Sequence, residues 1–158
     1  PKENKDSSIA SVHLLEWPRE KPDFYKHFPS EFHFITQLIP DIAKLLEEKR
    51  SQGLIGSSFD AKINLLTNNE ERYKFLESLK GDLCEIFKVS QVEITKQNKS
   101  GPHAGTVADF SDIAILALKA DGAKCMRCWN YDVSVGKFNA HPLICKRCMA
   151  VIGEERKS

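Results

Sequence analysis

The chain has 158 residues, of which 41% are hydrophobic and 28% are charged, a composition that predicts one ordinary folded domain or two small ones and excludes a disordered chain. No apolar run approaches the roughly 18–20 residues of a membrane-spanning helix, and no signal-peptide pattern opens the sequence. The formal net charge of +1 selects no class of partner by itself.

The first 29 residues predict little regular structure. Residues 1–8 are polar, and the segment after them contains several prolines, which disfavour helical geometry in the residue before each of them. We interpret residues 17–29 as a linker or wrapping segment. Because the first residue is Pro1 rather than methionine, we also expect the chain to be a processed product or a piece of a longer protein.

A long helix is predicted after Ser30, which is a good N-cap residue. The apolar residues that follow recur at helical spacing and define one face: Ile35, Leu38, Ile39, Ile42, Leu45 and Leu46. Gly53 suits the position just beyond the end of this helix. Pro40 lies in its middle and removes one backbone hydrogen bond, so we expect the helix to kink or restart there.

The segment after the long helix predicts a small sheet with one more helix. Residues 61–66 are a strand candidate, and Asn68 or Asn69 is the expected N-cap of a second helix, whose apolar residues are Tyr73, Leu76, Leu79 and Leu83. Cys84 has no partner at ligand spacing, and we assign it to the core. Residues 89–95 have strand composition.

Residues 97–106 predict a loop because they contain two glycines and a proline. The next segment, residues 112–119, is apolar on both faces, which predicts a buried central strand. Asp121 and Gly122 are expected to turn the chain into the last part of the sequence.

The last part of the sequence contains two Cys-x-x-Cys pairs with 16 residues between them. Two residues between cysteines let a tight turn direct both sulfurs to one point, so the four thiolates of Cys125, Cys128, Cys145 and Cys148 predict a tetrahedral zinc site. Such a site is closed to substrate, and we therefore expect one structural zinc rather than a catalytic one.

Two alternatives to zinc are a redox-active pair and two disulfides. A redox pair usually lies at a strand-to-helix turn of a thioredoxin-like unit, and two copies at this separation favour a metal instead. Disulfides belong to oxidising compartments, whereas nothing else in the chain resembles a secreted protein and Cys84 would be left unpaired.

The predicted fold class is α+β. A long helix, kinked or interrupted at Pro40, packs with a small mixed sheet and a second helix, and a four-cysteine zinc-ribbon or knuckle module follows. We expect the parts to be residues 1–29, a small α+β domain at residues 30–120, and the zinc module at residues 121–158. The last 40 residues contain eight Lys or Arg and four acidic residues, so their field is mildly positive and makes nucleic-acid binding plausible without requiring it.

The residues around the cysteines resemble a known family. Cys-x-Arg-Cys-Trp-x-Tyr at residues 125–131, followed by a glycine and by Cys-x-Arg-Cys at residues 145–148, is similar to the C-terminal zinc finger of bacterial and mitochondrial isoleucyl-tRNA synthetases. The similarity covers residues 8–152 and also rests on four further segments, which occur in the same order in that family: 11–18, 53–63, 87–92 and 121–125.

The resemblance implies the tRNA-facing end of a class I ligase that charges tRNA(Ile) with isoleucine. Residues 1–29 would then include the segment that closes the anticodon-binding helical domain, and the rest of the same synthetase would be a partner. The H-I-G-H and K-M-S-K-S motifs that hold ATP in this family are absent from the chain, as is any glycine-rich phosphate loop. We therefore expect no catalytic residue here, with ATP and magnesium bound only by a catalytic core outside this chain.

The same resemblance implies that Arg127 and Trp129 contact the anticodon arm, because the cysteine knuckle holds both backbones rigidly. Unstacked anticodon bases can be recognised by stacking on aromatic or guanidinium planes. Phosphate contacts would come from nearby cations: Lys124, Lys137, Lys146 and Arg147. The alternative for Trp129 is a hydrophobic plug under the zinc site, and for each lysine a solvated surface charge.

Two other classes of protein carry related modules. A similar finger occurs in formamidopyrimidine-type DNA glycosylases, whose N-terminal proline is a nucleophile, but this chain begins Pro1-Lys2 rather than Pro-Glu and lacks an arginine-bearing turn at residues 135–138. A free-standing zinc ribbon that binds protein leaves residues 9–118 unexplained. We expect neither a DNA partner nor a membrane, and we expect the bacterial cytoplasm or the mitochondrial matrix as the location.

Overall fold

The computed structural model of the chain describes residues 30–96, 105–106 and 112–155. The predicted linker at residues 17–29 and most of the predicted loop at residues 97–106 lie outside the described residues. The α+β fold class is confirmed: helices and a small mixed sheet form a body, and a module with the four cysteines follows it.

Helix α1 spans Ser30–Ser51 without interruption, so it does not restart at Pro40. Pro40 is exposed, so the backbone N–H group that it lacks is missing from the solvent side of the helix. Helical hydrogen bonds are longest on that side, and the loss of one of them is tolerated there. The buried face of α1 is made by apolar residues at helical spacing: Phe34, Ile35, Leu38, Ile42 and Leu46. Ile39 does not belong to it, because it lies about 100° around the helix from Leu38 and is exposed.

The end of α1 follows the prediction for Gly53. The backbone N–H of Gly53 donates to the Arg50 carbonyl over 2.9 Å, and that of Leu54 donates to the Lys49 carbonyl over 3.0 Å. These two bonds form a Schellman motif, which requires the left-handed backbone that Gly53 adopts with φ of 73°.

The main sheet contains β1 (Ala61–Thr67), β2 (Gln91–Thr95), β3 (Gly105–Thr106) and β4 (Ile113–Lys119) in the order β2-β1-β4-β3. Strand β1 pairs with β2 in parallel and with β4 in antiparallel orientation. The prediction that residues 112–119 form a central strand is confirmed, although Leu118 near the end of β4 is exposed. The prediction of a loop up to residue 106 is wrong at Gly105–Thr106, which pairs with β4.

The parallel pair β1 and β2 is connected by two helices rather than one. Helix α2 spans Glu70–Ser78 and α3 spans Lys80–Phe87, with a break at Leu79, whose backbone leaves helical geometry. Asn69 is the N-cap of α2, since its side-chain oxygen accepts hydrogen bonds from the backbone N–H groups of Glu71 and Arg72. The prediction of a single second helix is therefore wrong. The break lets the chain change direction while Leu76 and Leu83 both stay in the core.

One face of the main sheet forms the core of the body. Alternate residues of β1 and β4 point to this face, and they are buried with the apolar residues of α1, α2 and α3: Ile63, Leu65, Ile113, Ile115, Leu76 and Leu83 are fully buried. Cys84 is half-buried and packs against this cluster, as predicted.

The remaining elements form the module, residues 121–155. Strands β5 (Ala123–Lys124) and β6 (Tyr131–Asp132) pair in antiparallel orientation, and helix α4 spans Lys146–Glu155. Helix α4 was not predicted from the sequence. None of the helices in the described part of the chain combines the length and apolar character needed to cross a bilayer.

Candidate metal centre

The four predicted cysteines come together in the module. Their sulfur atoms all lie within 4.8 Å of one another, and the described residues contain no disulfide. Cys125 and Cys148 have sulfurs 3.8 Å apart, as do Cys128 and Cys145. A disulfide would bring two sulfurs to about 2.05 Å, whereas all four cysteines are free and their sulfurs surround one point, so the structure favours a shared site over two disulfides.

The sulfur separations fit zinc. A tetrahedron of thiolates at the usual Zn–S distance of about 2.3 Å has edges of about 3.8 Å. The two measured edges of 3.8 Å match this value. Zinc would complete the module, because among its described residues the packed apolar cluster holds only Val135 and Ile144 besides the cysteines.

The first cysteine pair lies on a turn, and backbone N–H groups point toward the sulfur of Cys125. Burial raises the pKa of Cys125, but hydrogen bonds from the backbone N–H groups of Cys128, Cys145 and Arg127 outweigh it and lower this pKa to about 6. One of these bonds, from the Cys145 N–H, measures 3.3 Å. The turn thus stabilises a thiolate, the form of cysteine that binds a metal.

The second pair is set by α4, which begins directly after Cys145 and carries Cys148 in its first turn. Burial raises the pKa of Cys145 to about 12 and also raises the pKa of Cys148. Four neighbouring thiolates therefore need a cation among them, which a divalent metal supplies. The chemistry of the donor set and the spacing of the sulfurs together fit a structural zinc.

Two arginines lie against the sulfurs. The Arg127 Nη1 is 3.8 Å from the Cys148 sulfur. A hydrogen bond to Cys128, with the charges of nearby thiolates, raises the pKa of Arg147, whose guanidinium also lies 3.9 Å from Glu85 of α3. Both residues were predicted as RNA contacts, and the structure places each of them next to a cysteine of the cluster.

Trp129 follows the first pair and is not a plug under the cluster. Its side chain is 65% exposed. Its backbone has φ of 67°, a left-handed conformation that is rare for a bulky residue, and its N–H donates to the Cys125 carbonyl over 2.9 Å. A bulky exposed aromatic residue in such a conformation is a candidate binding group.

The three predicted lysines lie at different places on the module. Lys137 and Lys146 are exposed. The Lys124 Nζ lies 5.8 Å from the centre of the Trp129 ring and 3.9 Å from the Asp60 Oδ1. Lys124 therefore faces an aromatic ring of its own module and a carboxylate of the body.

Several polar residues of the body bind the module, and sequence patterns did not indicate them. The Ser90 hydroxyl donates to the Phe59 carbonyl and accepts from the Tyr131 N–H over 2.7 Å. The amide of Gln91 bonds the backbone of Asp121 in both directions. The residues of these contacts are 30 to 41 positions apart in the chain, so no local pattern marks them.

Comparisons with known proteins agree with the cysteine cluster and extend beyond it. A family model described as a zinc finger found in FPG and IleRS matches residues 122–151. The whole chain is similar to proteins named isoleucine–tRNA ligase. The relative from Thermotoga neapolitana is 34% identical over 97% of this chain, that from Caldanaerobacter subterraneus 33% over 99%, and that from Fervidobacterium nodosum 36% over 93%.

The chain spans only about one sixth of the length of these relatives, since it covers 16–17% of each. The zinc-finger model by itself is shared with a second class of protein. The similarity to isoleucine–tRNA ligases also runs through the body, which the finger model does not match.

Proposed function

We propose that the chain is the anticodon-side, C-terminal region of an isoleucine–tRNA ligase, because it is similar to such ligases over nearly its whole length. It would support the ATP-dependent charging of tRNA(Ile) with isoleucine and supply no catalytic residue itself. The observation that carries this proposal is similarity over 97% and 99% of the chain to two of these ligases.

The proposed contact with tRNA rests on Trp129. An exposed indole on a backbone that is held by a hydrogen bond to the Cys125 carbonyl offers a flat surface on which an unstacked base can stack. The zinc would not contact the tRNA itself. It would fix the cysteine knuckle whose backbone carries the Trp129 ring.

Arg127 is the second proposed contact. Its guanidinium already lies near the Cys148 sulfur. A guanidinium has five N–H donors in a planar fork, so an N–H···S contact is compatible with a second contact to RNA. Lys137, Lys146 and Arg147 would add phosphate contacts, which orient the tRNA without reading its sequence.

ATP and magnesium would be bound by another part of the ligase.

We keep the proposed boundaries at residues 1–29, 30–120 and 121–158, with the last two parts joined by the hydrogen bonds of Ser90 and Gln91. The proposed location is the bacterial cytoplasm, because the named relatives come from bacteria. The mitochondrial matrix is the alternative that the family resemblance implies.

The test uses the full ligase with Trp129→Ala and, separately, Arg127→Ala. Loss of one base–aromatic stack is worth about 1–3 kcal/mol, so we expect the KM for tRNA(Ile) to rise by about 5- to 150-fold with Trp129→Ala. Isoleucine activation, measured without tRNA, should be unchanged.

Val133→Ala is the matched control, because Val133 is also an exposed apolar residue of the module. Its KM for tRNA(Ile) should stay at the wild-type value. If Trp129→Ala and Arg127→Ala both keep wild-type kinetics in folded, zinc-loaded enzyme, the proposed tRNA contact is wrong.

A further inference from the structure

We infer that Asp60 and Lys124 are positioning residues for Trp129: the carboxylate on the body holds the ammonium, and the ammonium holds the exposed indole. The inference rests on the proposed function only for its effect on tRNA. The geometry of the three side chains carries the rest.

Asp60 has two carboxylate oxygens in different situations. Its Oδ2 accepts hydrogen bonds from the backbone N–H groups of Gly56 and Ser57, each 2.9 Å long. Its Oδ1 is buried and, among the described residues, has no hydrogen-bond partner. A buried acceptor without a hydrogen-bond partner is destabilising. A cation near Oδ1 offsets part of this cost, because no group of the body does so among the described residues.

Asp60 is ionised at neutral pH. Burial raises its pKa, but the hydrogen bonds from Ser57 and Gly56 and the charge of Lys124 outweigh burial and lower it. The negative charge therefore faces the module through Oδ1.

Lys124 connects this charge to the ring. Its Nζ lies 3.9 Å from the Asp60 Oδ1 and 5.8 Å from the Trp129 ring centre. The second distance is within the roughly 6 Å over which an ammonium is attracted to the face of an indole. A cation placed between a carboxylate and a ring binds both at once.

Trp129 needs such a partner because its backbone is held while its ring is not packed. The hydrogen bond from its N–H to the Cys125 carbonyl orients the main chain. Trp129 is 65% exposed, so packing against buried neighbours constrains its rotamer little. The ammonium of Lys124 is therefore the contact by which the body can orient the ring. This role differs from the phosphate contact predicted for Lys124 from the sequence.

The first test measures the mobility of the ring in this chain with Trp17→Phe, which leaves Trp129 as the single tryptophan of the two. We expect Lys124→Met to reduce the slow component of the fluorescence anisotropy decay, because the indole then rotates on its own. Lys124→Arg keeps the cation and should restore the wild-type decay. Lys137→Met removes an exposed lysine of the same module and should leave the anisotropy decay of Trp129 unchanged.

The second test is Asp60→Asn, which keeps one carbonyl oxygen to accept from Gly56 and Ser57 and puts an NH₂ group where Oδ1 faces Lys124. The turn should stay folded while the attraction for the ammonium is lost. We expect the same anisotropy change as in Lys124→Met, and no further change when both substitutions are combined. Equal zinc content in all variants shows that the cluster is intact.

In the full ligase, Lys124→Met should raise the KM for tRNA(Ile) by about two- to five-fold, the equivalent of one exposed cation–π contact, with kcat unchanged. An unchanged anisotropy decay in folded Lys124→Met and Asp60→Asn overturns the positioning role, whatever the tRNA result. A reduced slow component of the anisotropy decay, together with no effect of Trp129→Ala on tRNA, supports the positioning role and overturns the proposed contact of Trp129 with tRNA.

Discussion

Gln91 and Asp121 exchange two hydrogen bonds, one from the Gln91 Nε2 to the Asp121 carbonyl over 3.0 Å and one from the Asp121 N–H to the Gln91 Oε1 over 2.8 Å. The side-chain amide of Gln91 thus pairs with both the N–H and the carbonyl of Asp121, as a residue of a neighbouring antiparallel strand would. Next to this pair, the Lys62 side chain is only 13% exposed and its Nζ lies 2.7 Å from the Asp121 carboxylate. The start of the module is therefore attached to the edge of the sheet by directional contacts.

Gln91→Ala should loosen this attachment without unfolding either part. One hydrogen bond contributes about 1 kcal/mol net, so we expect the Asp121 amide hydrogen to exchange about five-fold faster. Residue-resolved hydrogen exchange by NMR measures this. Gln52→Ala, at an exposed glutamine just after α1, is the control and should leave the Asp121 amide as protected as before. Equal protection in Gln91→Ala would contradict the role assigned to this pair.

Cys145→Ser should lower the zinc content from about one metal per chain and unfold residues 120–152, because the module has few packed apolar residues besides the cysteines. Helix α1 has its own buried face and should stay helical. Metal analysis, circular dichroism and hydrogen exchange measure these three effects.

Cys84→Ser is the matched control for that experiment. Cys84 is half-buried in the core of the body and lies outside the four-cysteine cluster. The zinc content of the Cys84→Ser protein should stay at the wild-type value. A fully folded module in metal-free protein would contradict the structural role of zinc.

Trp129→Gly separates stability from binding. A left-handed backbone costs a non-glycine residue about 1–2 kcal/mol, so glycine at φ of 67° should stabilise the module by about 1 kcal/mol in chemical denaturation. The same variant should lose the proposed tRNA contact. Lys88→Gly is the control, because Lys88 is exposed and has φ of 55°. It should give a similar stabilisation with tRNA binding intact. A destabilised Trp129→Gly would indicate that the ring is part of the fold.

Gly122→Ala should destabilise the module strongly. Gly122 has φ of 86°, and a Cβ atom there would lie 2.5 Å from the carbonyl carbon and oxygen of Asp132. Left-handed strain and the clash with backbone add to about 2–5 kcal/mol. Denaturation in excess zinc measures the loss.

Gly136→Ala separates the two contributions. Gly136 has φ of 91° but nothing within 4 Å of the position of a Cβ atom, so this variant should lose only about 1–2 kcal/mol. Equal losses for the two variants would mean that β6 moves away from Gly122 without cost.

Much of the body was predictable because local chemistry determines it. The apolar spacing of α1, the left-handed Gly53 and the cap at Asn69 act over a few residues, and the structure has all three. The break at Leu79 was not predictable, since Leu76 and Leu83 continue a helical pattern across it. The helix breaks at Leu79 because the chain must connect two parallel strands, β1 and β2. A short stretch of sequence does not reveal that these two strands pair in parallel.

Helix α4 was missed for a related reason. It begins with Lys146 and Arg147, whereas a helix start usually favours acidic residues because of the helix dipole. Here Cys145 and Cys148 lie at that end, and their sulfurs would carry the negative charge as zinc-bound thiolates. Only the folded cluster explains why two basic residues are tolerated there.

The sequence by itself determined the metal centre, because two Cys-x-x-Cys turns bring their sulfurs together over short distances along the chain. Its motifs also indicated the resemblance to isoleucine–tRNA ligases, and the chain is similar to such ligases over nearly its whole length. The tertiary structure decided which way Trp129 faces and which groups hold it. Asp60 and Lys124 are 64 positions apart and meet only when the sheet carries the module beside the turn at residues 58–60. Contacts of that kind depend on packing between distant segments, which no local pattern of residues records.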